Sequence, residues 1–447
     1  MRTIMPDSKS HPDDWRGRNV LVMGLGLFGG NVSATRYLAS RGANIAITDL
    51  RNKDALAPSL AALNGIPLVR LILERHEEAD IDWADTILIS PAVKPSNPFI
   101  AYSKSQNKTI TTELELFLRA CPAKIAAVTG SNGKSTTTTM LSHVLKASGQ
   151  RVFLGGNIGH SLLDDLDQIK PDDWIALEVS SFQLAWLPDG LLRPEVAILT
   201  NLTPNHLDWH SDFEDYSNSK ARLFEHAKHV ILPEQTPPSW TIDVSPIYLR
   251  RAGGVNPLSS FSLFPLPGEH NLLNAQAAMT AGLSLGFDVQ AMLYHLAEMK
   301  SLPQRLESIA THNGLTFIND SAATTPESTF EALRSLDGPL HLIIGGSDKG
   351  ADFTAVSKLI VERCASVALI GYLAPRLEAL ILEHQVRPLP LASHTDLASA
   401  IDWSILQATT RPATILLSPA AASFGMYLNY EQRGQDFNRL VAERVSN

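Results

Sequence analysis

One stretch of the sequence decides the fold, and it reads AAVTGSNGKSTT at residues 126–137. The apolar residues 125–128 predict a buried strand, and residues 137–145 predict a helix. A loop of small residues joins the two. Backbone N–H groups at the start of the helix and the helix dipole would both face this loop, and together they favour an anion there.

The side chains of the same loop have the order of a nucleotide site. Lys134 would contact the β- and γ-phosphates, and the hydroxyl of Ser135 or Thr136 would hold Mg²⁺. The usual phosphate loop has a glycine five residues before Gly133, where this chain has Val128, so the loop is a shortened variant, G-x-x-G-K-S-T. The alternative is a helix-capping turn that happens to contain a lysine. We predict an ATP site.

Length and composition bound the class of protein. The 447 residues correspond to about three domains of ~150 residues each. A hydrophobic fraction of 44% suits a well-packed protein, and a net charge of −9 disfavours nucleic acid or an anionic membrane as a partner. Cys121 and Cys364 are the two cysteines, so we expect a reducing compartment. With no signal peptide and no apolar run of ~20 residues, we expect a cytoplasmic enzyme without membrane insertion.

The front of the chain carries a second glycine-rich turn. Residues 24–30 read GLGLFGG between a short strand and a helix, and Asp49 ends the next strand, as in a dinucleotide fold. NAD(P) is one interpretation. A nucleotide-linked substrate is another, with its pyrophosphate on this turn and Asp49 or Arg51 near the sugar or base. A packing turn without ligand is the third. The strand end at residues 90–93, which includes Ser90, is a second wall of the pocket.

Polar residues also follow the strands of the central part. Glu178 ends an apolar strand, where a carboxylate in a phosphate-loop protein usually serves Mg²⁺; the alternative is a buried ion pair. His206 and Asp208 lie in a loop after the next strand, where contacts to a metal or an acyl phosphate are expected. For His210 in the same loop we expect a solvated histidine.

Two further central segments carry candidate residues. A helix predicted to start at Tyr216 includes Lys220. Asn271 and Asn274 lie three residues apart and so share one face of a helix, where their amides would bracket an adenine ring or hold a loop. Helix capping is the alternative for Asn271.

The sequence predicts an α/β protein of three domains, at residues 1–109, 110–302 and 303–447. The first and third are expected to be Rossmann-like, and the central one is expected to be a phosphate-loop domain with a parallel sheet. In the third domain, strand ends carry Asp320 and Lys349, which we expect to contact a cofactor or a small acidic ligand.

Several motifs in the same order resemble those of the Mur ligases. They are GSNGKST at 130–136, GGNIG at 155–159, EVSSFQL at 178–184, the His206 loop, Lys220, GEHNLLN at 268–274, NDS at 319–321, LSPAAAS at 417–423 and EQRG at 431–434. The resemblance runs from about residue 17 to the C-terminus. It is strongest to the branch of the family that adds glutamate.

The resemblance implies roles for individual residues. ATP and its Mg²⁺ would be bound by Gly130, Ser131, Asn132, Gly133, Lys134, Ser135, Thr136, Asn271, Asn274, Arg305 and Asp320. The metal ligands would be Ser135, Glu178, His206 and Lys220, the last as a carbamate. The uridine side would be formed by Leu27, Phe28, Asp49 and Arg51, with Ser90 beside them, and the glutamate side by Lys349, Ser423 and Tyr430.

It also implies an activity. The enzyme would add D-glutamate to UDP-N-acetylmuramoyl-L-alanine through an acyl phosphate, using ATP and Mg²⁺, in peptidoglycan synthesis, and a monomer is expected. Domain closure would exclude water from the acyl phosphate. L-Glutamate is the alternative acceptor. An NAD(P)-dependent oxidoreductase and a non-catalytic ATP-binding module are alternatives of other classes.

Three residues depart from the family pattern. Gln304 replaces a histidine that commonly precedes the arginine, Ala322 replaces a lysine after Asn-Asp-Ser, and Tyr430 replaces a phenylalanine. The first two bear on how the third domain contacts the nucleotide and the acceptor.

Overall fold

A computed structural model describes residues 14–27, 29–237, 240, 242–249, 266, 268–348 and 350–446. They form two compact units. The first covers the described residues up to 249 together with 274–296, and the second covers those in 266–273 together with 297–446. Three sheets, two in the first unit and one in the second, give the predicted three-domain α/β fold.

The first sheet has five parallel strands, β1 (Asn19–Met23), β2 (Asn44–Asp49), β3 (Leu68–Leu73), β4 (Thr86–Ile89) and β5 (Thr109–Thr112). Its helices are α1 (Gly30–Ser40), α2 (Ala57–Ala61), α3 (Glu78–Trp83), α4 (Pro98–Ser105) and α5 (Glu113–Ala120). In the order β3-β2-β1-β4-β5, successive strands are added on one side of β1 up to β3 and on the other side from β4 onward. Open α/β sheets bind ligands at such a switch point, which here lies between β1 and β4. The sheet extends to Thr112, beyond residue 109.

The second sheet has six parallel strands, β6 (Lys124–Thr129), β7 (Val152–Gly156), β8 (Trp174–Glu178), β9 (Val196–Leu199), β10 (His229–Pro233) and β11 (Ile247–Leu249). The helices that follow in the chain are α6 (Lys134–Leu145), α7 (Ser181–Trp186), α8 (Phe213–Ala221), α9 (Glu269–Ser284) and α10 (Val289–Ala297). In the order β11-β10-β9-β6-β8-β7, strand β6 lies between β9 and β8. The carboxyl ends of these three strands therefore meet at the phosphate loop.

The third sheet has six strands, β12 (Glu307–His312), β13 (Leu315–Asn319), β14 (Leu340–Gly345), β15 (Cys364–Ile370), β16 (Leu391–His394) and β17 (Ala413–Leu417). Its helices are α11 (Pro326–Ser335), α12 (Thr354–Arg363), α13 (Ala374–His384), α14 (Leu397–Gln407) and α15 (Tyr430–Val445). The order is β12-β13-β17-β14-β15-β16, and β12 alone runs antiparallel to its neighbour.

Two helix starts differ from the sequence prediction. Helix α6 begins at Lys134 rather than near Thr137, so the lysine of the phosphate loop belongs to the first helical turn. Helix α8 begins at Phe213, where Asp212 accepts a 2.8 Å hydrogen bond from the N–H of Asp215. Lys220 therefore lies in the last turn of α8. None of the helices in the described ranges is long and apolar enough to cross a bilayer.

Candidate active site

Two glycines of the phosphate loop need positive φ angles and close approaches. Gly130 has a φ of 150°, and a Cβ added there would overlap Oγ1 of Thr200. Gly133 has a φ of 77°, and a Cβ there would lie 2.9 Å from Oδ1 of Asn274. Side chains rarely adopt these angles, so glycine is required at both positions.

The loop passes directly into α6. Thr137 donates its N–H to the carbonyl of Gly133 at 2.9 Å, the first helical hydrogen bond of this type. The N–H groups of residues 134–136 have no carbonyl one turn earlier within the helix. They point along the helix axis at its positive end, which is the geometry that binds phosphate.

The segment after β9 holds the earlier part of the loop. Asn201 accepts the N–H of Asn132 through Oδ1 at 3.0 Å and donates through Nδ2 to the carbonyl of Asn132 at 2.9 Å. Ser131 donates its N–H to the carbonyl of Asn201 at 3.0 Å, and its hydroxyl lies 2.8 Å from that of Tyr216. Ser131 and Asn132 thus brace the loop, and phosphate binding by the N–H groups of residues 134–136 remains a prediction.

Two lysine side chains converge on one carbonyl. The ammonium of Lys134 donates to the carbonyls of Gly130 at 3.0 Å and Ser131 at 2.9 Å. Lys220, which is 1% exposed, donates to the same Gly130 carbonyl at 2.9 Å. Burial, followed by the charge of Lys134, lowers the pKa of Lys220 well below its ordinary value, with Glu178 acting in the opposite direction. This environment favours a neutral amine.

Glu178 ends β8 with 1% of its surface exposed. Its Oε1 accepts a hydrogen bond of 2.9 Å from Nδ2 of Asn157, whereas its buried Oε2 has no hydrogen-bond partner within the described residues. A buried carboxylate oxygen without a partner is costly. An oxygen in this position suits a cation, and the metal role of Glu178 remains a prediction.

His206 lies in the loop after β9 with a backbone φ of 57°. Its ring packs edge-on against Phe182, with centroids 4.8 Å apart, and its carbonyl accepts the N–H groups of Trp209 and His210, each at 3.0 Å. Asp208 is exposed. The loop thus presents the ring of His206 from a tight turn.

The expectation of a solvated His210 is wrong. The residue is 2% exposed, and its ring lies between Ser181, 2.9 Å from Nε2, and Asp215, 3.1 Å from Nδ1. Burial lowers its pKa, although Asp215 acts to raise it. The spacing H-x-D-x-H places both histidines in one loop, but it gives no sign that His210 is buried.

In the first domain, the carboxylate of Asp49 holds the glycine-rich turn. It is 1% exposed and accepts the N–H groups of Gly26 at 3.1 Å and Arg51 at 2.8 Å. Leu27 is exposed at the same turn, and the predicted contact at Phe28 lies outside the described residues. Asp49 therefore fixes the turn and the backbone of Arg51, and the contacts of both residues with a ligand remain predictions.

In the second unit, Asp320 is 7% exposed and accepts hydrogen bonds from the N–H of Leu306 at 3.2 Å and the hydroxyl of Ser418 at 2.7 Å. Burial raises the pKa of Asp320 to about 7, while the two hydrogen bonds and the nearby Arg305 and Arg433 act to lower it. The carboxylate joins the loops that follow β13 and β17.

Arg433 joins the same two loops, and the residue-by-residue prediction missed it. The guanidinium is 1% exposed and donates to the carbonyls of Ser321 at 2.9 Å and Ala421 at 3.1 Å. Burial lowers its pKa to about 10, so it stays charged at neutral pH. The sequence EQRG was noted as a motif, but nothing in it indicated a buried arginine.

The residues that were predicted to contact the glutamate acceptor belong to, or follow, these loops in the chain. Ser423 is 3% exposed, and Tyr430 starts α15 and accepts the hydroxyl of Ser321 on its carbonyl at 2.8 Å. Lys349 lies outside the described residues. Two of the three departures from the family pattern contact each other, because Ala322 donates its N–H to the carbonyl of Gln304 at 3.1 Å.

The remaining residues that were predicted to bind ATP lie on α9 and shortly before β12. Asn274 is 9% exposed and covers Gly133. Asn271 is 6% exposed, with its N–H on the carbonyl of Gly268 at 3.1 Å. Arg305 donates its N–H to the carbonyl of Leu302 at 3.1 Å. Roles in nucleotide binding remain predictions for all three.

The fold and the site define a three-domain α/β protein with a phosphate-binding loop. Three family models match it in order: the MurD-like N-terminal domain at residues 18–112, the Mur ligase middle domain at 128–242 and the Mur ligase glutamate ligase domain at 304–421. The chain belongs to the Mur ligase family, whose members form amide bonds at the expense of ATP.

Similar proteins cover nearly the whole chain. The UDP-N-acetylmuramoylalanine–D-glutamate ligase of Geobacter metallireducens is 34% identical over 95% of this chain and 97% of its own. That of Caldanaerobacter subterraneus is 32% identical over 95% and 98%. These relatives support the ligase prediction and give no support to the oxidoreductase alternative.

Solved structures share the fold. The UDP-N-acetylmuramate–alanine ligase MurC of Thermotoga maritima has a TM-score of 0.60 at 19% identity, covering 96% of this chain and 99% of its own. The MurF ligase of Thermotoga maritima, solved in complex with ADP, has a TM-score of 0.55 at 16% identity, covering 97% of each chain.

Proposed function

We propose that this chain is an ATP-dependent ligase that joins D-glutamate to UDP-N-acetylmuramoyl-L-alanine during synthesis of a peptidoglycan precursor. The observation that carries the proposal is the similarity to ligases named for that reaction, which extends over 95% of this chain and 97% of the relative. The phosphate loop, the buried lysine and the buried glutamate supply the chemistry that such a reaction needs.

The reaction would run in two steps. The carboxylate of the L-alanyl group attacks the γ-phosphorus of ATP, the bond to the bridging oxygen breaks, and ADP and an acyl phosphate result. The N–H groups of residues 134–136 and the ammonium of Lys134 offset the charge of the transferring phosphoryl group. The amine of glutamate then attacks the acyl carbon, loses a proton, and inorganic phosphate leaves as the amide forms.

The residues present fit Mg²⁺. Glu178 offers a buried oxygen that lacks a partner within the described residues, and Ser135 stands in the first turn of α6. No group of three or more His, Cys, Asp or Glu side chains in the described ranges could hold a metal alone. This suits Mg²⁺, which takes one or two carboxylates together with phosphate oxygens and water. Bound there, with His206 as the further ligand that the resemblance implies, the ion would neutralise phosphate charge.

Lys220 completes that site as a carbamate in this proposal. Its Nζ is buried against the carbonyl of Gly130 and, at 3.5 Å, the hydroxyl of Thr129. An ammonium there would repel a divalent cation, whereas a carbamate has two oxygens to offer. Carbamylation needs a neutral amine, and the lowered pKa of Lys220 supplies one.

The substrate contacts follow the family resemblance. We place the uridine nucleotide on the turn of Leu27 and Phe28, near Arg51 and Ser90. We place the adenine and ribose of ATP against Asn271, Asn274, Arg305 and Asp320. The glutamate lies against Lys349, Ser423 and Tyr430, where its second carboxylate is paired and neutral amino acids are rejected.

Phosphate release tests the proposal. The protein is incubated with ATP, Mg²⁺ and UDP-N-acetylmuramoyl-L-alanine, and with D-glutamate or L-glutamate at equal concentration. We expect release with D-glutamate. Release with L-glutamate alone would change the proposed acceptor to L-glutamate and leave the ligase assignment standing. Release with neither enantiomer would contradict both the acceptor and the ligase assignment. Titration with NADH, NADPH and a UDP-sugar in parallel should show binding of the last only.

The proposal includes a cytoplasmic monomer. ATP is available in that compartment, and Cys121 and Cys364 form no disulfide in the described structure. Sedimentation equilibrium at micromolar concentration should give one chain mass, and a mass of two chains would contradict the monomer.

A further inference from the structure

The loop that carries His206 is hydrogen-bonded to the first domain. Trp209 donates its indole N–H to the carbonyl of Ala92 at 3.0 Å. Ala92 lies in the turn after β4, at the carboxyl edge of the first sheet, and both loops belong to the first unit. The hydrogen bond therefore joins the carboxyl edge of the first sheet to that of the second, and these are the edges at which open α/β sheets bind ligands.

The first-domain end of the connection lies at a predicted substrate contact. Ser90 accepts the N–H of Ala92 on its hydroxyl at 3.4 Å and the N–H of Val93 on its carbonyl at 3.0 Å. Its Cβ is 4.0 Å from the position that a Cβ on Gly24 would occupy. A ligand on the glycine-rich turn therefore meets Ser90, and a change at Ser90 reaches the carbonyl that Trp209 binds.

The central-domain end lies at His206. The backbone N–H groups of Trp209 and His210 both donate to the carbonyl of His206 at 3.0 Å, and the turn holds His206 at a φ of 57°. The next residue, His210, is fixed between Ser181 and Asp215. The turn is thus anchored to the central domain on one side of Trp209 and to the first domain by the indole itself.

The packing of the indole is separable from its hydrogen bond. Its ring lies 4.8 Å from that of Phe182 and 4.6 Å from that of His210, centroid to centroid. A phenylalanine at position 209 keeps an aromatic ring against these two neighbours and removes the N–H. Trp186 provides a matched control, because its indole N–H donates to the neighbouring carbonyl of Val93 at 3.0 Å from the end of α7.

We propose that Trp209 is a positioning residue that couples binding at the glycine-rich turn of the first domain to the geometry of the His206 loop, so that the precursor and the nucleotide strengthen each other's binding. The identity of the precursor rests on the proposed function. Such coupling is reciprocal, so each ligand must change the affinity of the other by the same factor.

A thermodynamic cycle measures the coupling. The affinity of a non-hydrolysable ATP analogue with Mg²⁺ is determined calorimetrically, with and without saturating UDP-N-acetylmuramoyl-L-alanine, and the reverse titration checks reciprocity. We expect the precursor to raise the affinity of the wild-type protein for the analogue by about fivefold or more. Trp209→Phe should bring this factor to within about twofold of one, and Trp186→Phe should keep most of it.

The outcomes separate the inference from the proposed function. Equal coupling in Trp209→Phe and wild type, or no coupling in wild type, overturns the inference alone. No binding of the precursor to wild type contradicts the proposed function and removes the inference with it. If Trp209→Phe does not fold, β-(3-benzothienyl)alanine at position 209 keeps the bicyclic shape, exchanges the N–H for sulfur and must give the same loss of coupling.

Discussion

The Nε2 atom of His210 lies 2.9 Å from the hydroxyl oxygen of Ser181. On the other side of the ring, Nδ1 faces a carboxylate oxygen of Asp215 at 3.1 Å. A carboxylate only accepts, so Nδ1 carries the proton, and Nε2 of the neutral ring accepts the hydroxyl of Ser181. The order is that of a hydrolase triad, but Ser181 is 2% exposed, so its hydroxyl is buried in this contact. The three residues fasten α7, α8 and the His206 loop together.

Removing this anchor should cost stability and activity together. We expect His210→Ala to lower the free energy of unfolding by about 2–4 kcal/mol, because it creates a cavity and leaves the buried hydroxyl of Ser181 without its hydrogen bond to the imidazole. Phosphate release should fall by about tenfold or more as His206 loses its position. Urea unfolding and the ligase assay give the two values. The exposed His226 serves as control, and His226→Ala should change stability by less than about 0.5 kcal/mol.

Loss of the buried amine should abolish most activity without unfolding the protein. Lys220→Ala removes the group that would become the carbamate, so we expect phosphate release to fall by about 100-fold or more, and added acetate or formate should restore part of it. Lys228→Ala is the control, because that lysine is on the surface with Glu195 at 2.7 Å. Near-normal activity of Lys220→Ala would contradict the role.

Two of the central-domain glycines with positive φ, Gly130 and Gly149, allow the cost of backbone strain to be separated from the cost of a steric clash. Gly130→Ala places a Cβ into Thr200, whereas Gly149→Ala, at a φ of 74°, meets nothing within 4 Å. We expect a cost of about 1 kcal/mol for Gly149→Ala and about 3 kcal/mol or more for Gly130→Ala. Only Gly130→Ala should also weaken nucleotide binding, by about tenfold or more in calorimetry, because it displaces the phosphate loop.

Asp320 should make stability fall as the pH rises. Its pKa is raised to about 7 in the folded protein from an ordinary 3.8, so the folded state holds the proton more tightly. Stability from this group is complete below about pH 4, is lost progressively towards about pH 7 and is constant above. Asp320→Asn removes the dependence. Relative to wild type, the variant should therefore gain roughly 2–4 kcal/mol between pH 4 and pH 8 in urea unfolding.

The difference between the two proteins isolates Asp320 from other groups. Glu113, whose pKa burial also raises to about 7, contributes the same slope to both and cancels. If the difference in free energy of unfolding between Asp320→Asn and wild type stays constant from pH 4 to pH 8, the pKa of Asp320 is not raised by folding.

The sequence was sufficient for strands that are covered on both faces. The buried strands at Asn19–Met23 and Trp174–Glu178 are largely apolar, and they were predicted because both faces of a parallel sheet are covered. The half-exposed edge strand Leu68–Leu73 was missed, since its pattern is broken by Arg70. The domain ends at residues 109 and 302 remain predictions.

The site was predictable as a set of residues but not as a set of contacts. Lys134, Glu178 and Lys220 are far apart in the chain, and only folding shows that two lysine side chains donate to the carbonyl of Gly130. His210 and Arg433 were beyond sequence reasoning, because polar side chains are normally exposed. Their burial depends on partners that come from other elements, namely Ser181 and Ser321.

The position of Arg433 has a consequence for synthesis of the protein. Its guanidinium hydrogen-bonds both loops, at Ser321 and at Ala421, yet it is supplied by α15, which follows both loops in the chain. Domains form as the chain leaves the ribosome, with the N-terminal parts first. The first unit can reach its native contacts while the second is still being translated. The loops of the second unit lack the hydrogen bonds of Arg433 until that residue has emerged, so a nascent chain gains its phosphate site well before its Asp320 cluster is complete.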